Sequence, residues 1–113
     1  MKKIDITTLS LTDMYEVQEK LSNEASDIYT EKHNTMAMAK QIEDAIDALN
    51  NIEDVFDDAN NWSNWYDTVK FLRDALKDAD KKVDELDEEY YEYGQAIDSL
   101  TDAIDREEER EGA

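Results

Sequence analysis

Stepping from Trp65 alternately by four and three residues meets Trp65, Val69, Leu72, Leu76, Ala79, Val83, Leu86, Tyr90, Tyr93, Ile97, Leu100 and Ile104, and all twelve are apolar. An uninterrupted a/d heptad of this kind lays a narrow seam along one side of a helix and leaves the other sides to water. The same walk from Met14 passes Gln18, Leu21, Ala25, Ile28, Lys32, Thr35, Ala39, Ile42, Ile46 and Leu49, and eight of those eleven positions are apolar. Two seams joined by a short polar segment predict an all-α, coiled-coil-like antiparallel hairpin, because a short connection returns the second helix beside the first. The expected bounds are about 12–57 for helix one, about 58–63 for the turn and about 64–109 for helix two, within a single acidic helical domain over 1–113. Folding near residue 59 pairs positions whose numbers sum to about 118. Leu49 then meets Val69, Ile42 meets Leu76, Ala39 meets Ala79, Leu21 meets Ile97 and small Ala25 faces bulky Tyr93.

The first seam is weakest at Lys32 and Thr35, with His33 and Asn34 also poor helix formers. A rival reading therefore breaks the chain near His33 to Thr35 and again near Gly94, giving a compact three- or four-helix bundle. Helix one can start with Asp13 as N-cap and Glu16 three residues on, or earlier at Thr8 or Ser10. Apolar residues off the seams (Ile4, Ile6, Leu9, Leu11, Val17, Met36, Met38, Ile52, Val55 and Phe56) need a third surface. Self-association into a four-helix dimer, or a partner helix, would supply one.

The stretch ANNWSNWYD, from Ala59 to Asp67, carries both tryptophans of the chain. Trp65 takes the first seam position and is expected in the core, closing the hairpin against Ile52 or Phe56. Ser63 or Asn61 would cap helix two, and Trp62, off the seam, reads as a buried staple before the helix, with an exposed binding anchor as the alternative.

Composition narrows the chemistry. The 113 residues include no proline, no cysteine and glycine only at Gly94 and Gly112, which suits long helices and removes disulfides, thiolate metal sites and cysteine nucleophiles. The start, MKKIDITTLSLTDMY, lacks the apolar core of a signal peptide, and no window approaches a membrane span; a cytoplasmic protein that avoids membranes is expected. The single histidine, His33, has no ligand or triad partner at a suitable spacing. DADKKVDELDEE over 78–89 has Asp78, Asp80 and Glu89 at calcium-loop positions, but Lys82 and Val83 occupy the fifth and sixth places, where a ligand and a glycine are required. No catalytic residue, metal site or cofactor is therefore expected, and the chain reads as a non-enzyme.

What remains is charge. The net charge is −19, from 31 acids against 12 bases. Residues 1–40 hold seven acids and five bases, and residues 41–113 hold twenty-four and seven, so the second two-thirds carry nearly all of it. An acidic surface is repelled by nucleic-acid phosphates, so direct DNA or RNA binding is not expected. The partner it suits is a basic protein surface such as that of a nucleic-acid-binding nuclease. The acidic face proposed for it comprises Asp80, Asp84, Glu85, Asp87, Glu88, Glu89, Glu92, Asp98 and Asp102, with Trp62, Tyr66 and Tyr91 as aromatic anchors. Spread over roughly 60–65 Å of helix, nineteen charges approach the density of one DNA strand and half that of the duplex.

A small, acidic, helical chain of this composition resembles the anti-restriction and anti-CRISPR inhibitors of phages, which implies a DNA-mimicking protein acting in a host cytoplasm. The length, the two helices and Trp62-Ser63-Asn64 also resemble the WXG100 class of secretion-partner hairpins, which implies dimerisation and a tryptophan in the turn. Asn64 stands where that class carries glycine, and Tyr90, Tyr91 and Tyr93 are followed four residues on by Gly94, Gln95 and Ile97 instead of the acid of its secretion signal.

Overall fold

The computed structural model describes residues 9–56 and 59–112, with side chains for all of these except 56, 59, 60 and 112. Helix α1 covers Leu11–Asn51, a 3-10 turn covers Glu53–Phe56, and helix α2 covers Ala59–Gly112. The fold is an all-α helical hairpin, 97% helical and without strands among the described residues. Ile4, Ile6 and Thr8, singled out above, lie outside those residues, as does Asp58 in the expected turn.

Three expectations need correction. Helix α1 runs unbroken through His33 to Thr35, and α2 runs unbroken through Gly94, so the compact bundle does not form. The penalties at those positions are a few tenths of a kcal/mol per residue, about 1 kcal/mol for glycine, and with no proline nothing removes a backbone donor. The turn is displaced toward the N-terminus: α1 ends at Asn51 instead of about 57, and α2 begins at Ala59 instead of about 64. Asn61 and Ser63 therefore sit inside α2, past its first residue, and Trp62 is a helical residue. Asp13 is likewise not the N-cap. Ser10 is: its Oγ accepts from the Asp13 N–H at 3.2 Å and its carbonyl accepts the Met14 N–H at 2.9 Å.

Packing divides the hairpin into two compact units, one of residues up to Glu31 and from Leu86, the other of Lys32–Glu85. In the first, Met14, Leu21, Leu100 and Ile104 form a buried cluster against which Leu9, Leu11, Val17, Tyr93, Ala96, Ile97 and Ala103 pack. Leu9, Leu11 and Val17 have thus found their third surface within the chain. The register agrees with a fold near residue 59: Gln18 bonds Thr101, Tyr29 meets Tyr90, and Tyr93 bonds Glu24, pairs whose numbers sum to 117–119.

In the second unit Thr35, Ala39, Ile46, Trp65, Val69 and Ala79 are buried. The Trp65 indole Nε1–H donates to the Leu49 carbonyl at 2.8 Å, and the Ile52 N–H reaches the same oxygen at 3.3 Å. Leu49 lies in the last turn of α1, where carbonyls have no partner within the helix, so a core tryptophan of α2 serves as the C-cap of α1. Ile52, one of the two expected partners for Trp65, is itself exposed, as are Met36, Met38 and Val55, and the side chain of the other, Phe56, lies outside those described. Among the described residues, every buried one falls on one of the two heptad walks.

Candidate acidic and aromatic interface

Helical periodicity fixes which side chains reach water. All nine acids of the proposed face, from Asp80 to Asp102, are exposed, as are Trp62, Tyr66 and Tyr91. They divide between the units: Asp80, Asp84 and Glu85 with Trp62 and Tyr66 belong to the second, and the remaining six acids with Tyr91 to the first. The charge divides unevenly. The first unit holds eighteen acids against five bases, net −13, and the second thirteen against seven, net −6.

On the α2 segment of the first unit, seven acids from Asp87 to Asp105 are exposed with no basic residue among them. The next bases are Arg106, whose Nε–H reaches back to the Asp102 carbonyl, and Arg110, paired with Glu107. Like charges one turn apart destabilise a helix by a few tenths of a kcal/mol per pair, so this surface is held together by the seam beneath it.

Three features here were not legible from the heptad. Tyr90 occupies a seam position yet is 40% exposed, and its ring packs on Tyr29 with centroids 5.8 Å apart at 46°. Gly94 follows one turn later, and a side chain there would meet nothing within 4 Å. The result is a depression of about 490 Å³ beside Tyr90, walled by Tyr91 and Gln95 and rimmed by Asp87, Glu88 and Asp98. A second, shallower one of about 350 Å³ lies on the other side of the Tyr90 ring, over Ser22, Ala25 and Ser26. The Tyr90 ring borders both depressions, held out against the bulky Tyr29 ring of α1. Gln95 Nε2 donates to the Tyr91 hydroxyl at 3.1 Å, which holds the more exposed ring in place across the notch that Gly94 leaves.

The Tyr93 hydroxyl donates to the Glu24 carboxylate across the hairpin. That bond, then partial burial, then the neighbouring charges of Glu24 and Glu89 raise the phenol above its ordinary value of 10.0.

In the second unit Trp62 and Tyr66 stack one helical turn apart, centroids at 5.3 Å and planes 16° apart. Trp62 is 46% exposed, so it is not the buried staple expected from the sequence. With α2 beginning at Ala59, the tryptophan sits in the helix and not in the turn where the WXG100 resemblance would place it.

Among the described residues, no group of three or more histidine, cysteine, aspartate or glutamate side chains is arranged to hold a metal ion. No helix among the described residues is long and apolar enough to cross a membrane. Comparison with protein-family models, with curated proteins and with solved structures finds no match for this chain.

Proposed function

We propose that this chain is a non-enzymatic acidic binding protein that acts in the cytoplasm by occupying the basic, nucleic-acid-binding groove of another protein, in the manner of the phage anti-restriction and anti-CRISPR inhibitors it resembles. One observation carries the reading: the run of exposed carboxylates from Asp87 to Asp105, without a basic residue among them, surrounds the exposed rings of Tyr90 and Tyr91. Acids supply attraction and speed of encounter to a positive surface, and aromatic side chains supply the desolvated contacts that give a complex its lifetime. Solubility alone asks for charges of both signs interspersed, which this segment lacks.

The test is a pull-down with a basic, DNA-binding nuclease, repeated with competing duplex DNA and at rising salt. Occupation of the groove predicts displacement by DNA and steep weakening with salt, because each contact replaces one that a phosphate would make. Charge reversal at Asp84, Glu88 and Glu92 should abolish capture. Capture that persists through the reversal, or that is indifferent to salt and to DNA, rejects the reading.

A further inference from the structure

We propose that the notch between Tyr90, Tyr91 and Gly94 receives an arginine of the target protein, presented by an extended segment with arginines at alternate positions. The inference rests on the acidic-binding reading above and gives its surface one defined pocket.

Gly94 contributes no side chain to this face of α2, and a Cβ there would have no packing neighbour within 4 Å. The notch is a depression of about 490 Å³, open to solvent, with room for a single side chain of a docked partner. Tyr90, tethered against Tyr29, and Tyr91, tethered by Gln95, offer aromatic surface already held in place, so little side-chain freedom is lost when a partner docks.

Charge then selects the occupant. Asp87 and Glu88 line the notch on its N-terminal side along α2 and Asp98 on its C-terminal side, ten or eleven residues on, or about 15–17 Å along the axis. An anionic or neutral group would gain nothing from these ends. A guanidinium suits the middle, because it stacks on a tyrosine ring and can donate to a carboxylate in the same plane; the compact, strongly hydrated ammonium of lysine stacks less well.

The spacing selects the partner's form. An extended chain rises about 3.3 Å per residue and turns alternate side chains to one face. With one arginine in the notch, basic residues two positions to either side sit about 7 Å away, close to the 7–8 Å between the centre and each acidic end. A segment reading Arg-x-Arg-x-Arg meets all three places.

The test uses the full chain and a synthetic peptide of about twelve residues that alternates arginine with serine, followed by calorimetry at a fixed salt concentration near 150 mM. Gly94→Gln fills the notch and Tyr91→Ala removes a wall, both without changing charge, and circular dichroism verifies that each remains helical. Each should weaken binding about tenfold, whereas Met38→Ala, at an exposed position of the other unit, should bind within about twofold of the parent. The same peptide with lysines should bind the parent several-fold more weakly and be less sensitive to either change. If Gly94→Gln and Tyr91→Ala bind as the parent does, the notch is not the site, and attraction spread over the acidic surface remains. If the parent does not bind the arginine peptide at all, both this inference and the function it rests on fall.

Discussion

Trp65 shows how much one side chain can do at the end of a hairpin. It is a seam residue, and its indole N–H also closes α1 by bonding the Leu49 carbonyl at 2.8 Å. Trp65→Phe keeps most of the apolar bulk and removes the donor. It should lower stability by about 1–3 kcal/mol, measured by urea unfolding, and quicken amide exchange in the last turn of α1 before that of other α1 segments. An unchanged midpoint would mean that the Ile52 N–H alone satisfies that oxygen. Tyr93 gives a second prediction, this one in pH. Its proton is held by the bond to Glu24, so its folded-state pKa lies above 10.0. A raised pKa adds stability that is complete below pH 10 and is lost as pH rises through the folded value. Thermal unfolding followed from pH 8 to 11.5 should show a steeper alkaline decline for the parent than for Tyr93→Phe, which has no proton to lose; parallel curves would remove the Glu24 bond from the account.

At the scale of the helix, the polar interruptions of a seam matter as much as its apolar run. Gln18 looks like a fault in the first heptad, yet its Nε2 donates to Thr101 Oγ1 at 2.9 Å, and that hydroxyl donates in turn to the Ile97 carbonyl at 2.9 Å. The link spans both helices and ties their register. Gln18→Leu or Thr101→Val alone should cost about 1 kcal/mol, because each strands a half-buried polar partner. The double variant should recover most of the loss, and a double-mutant cycle in urea measures the coupling. Strictly additive losses would show that the bond is only incidental to the register. This level also explains what could be read in advance. Two heptads sufficed for the hairpin, its register and every buried position among the described residues, because a period of 3.5 is a property of spacing alone. The turn was misplaced because asparagine and serine in ANNWS suit turns, while their helix penalty is small enough for seam packing at Trp65 to override. The depression beside Tyr90 was missed for a different reason. The pattern marks Tyr90 as apolar and in phase, but whether a ring sinks or stands out depends on what it meets across the hairpin, here the bulky Tyr29, and on the space left by Gly94.

For the molecule as a whole, net charge gives fold and function opposite responses to salt. A charge of −19 on 113 residues repels itself more strongly when the chain is compact than when it is unfolded and the charges are further apart. Ion pairs such as Lys40–Asp44, at 2.8 Å on an exposed surface, offset little of this, since exposed pairs contribute from nothing to about 1 kcal/mol. Raising ionic strength from about 0.01 M to about 0.15 M shortens the screening length from roughly 30 Å to roughly 8 Å, which screens repulsion between distant acids far more than attraction within a contact pair. The melting temperature should therefore rise over that interval, by about 4–8 °C for each kcal/mol gained. Capture of a basic partner should weaken over the same interval, because that attraction is long-ranged too. Circular dichroism melts and partner binding measured in the same salt series test the two signs together. A melting temperature that falls with salt would mean that local ion pairs outweigh the repulsion. The acidic surface would then be a net support of the fold, and its cost to the helix could no longer be taken as a sign that it serves a partner.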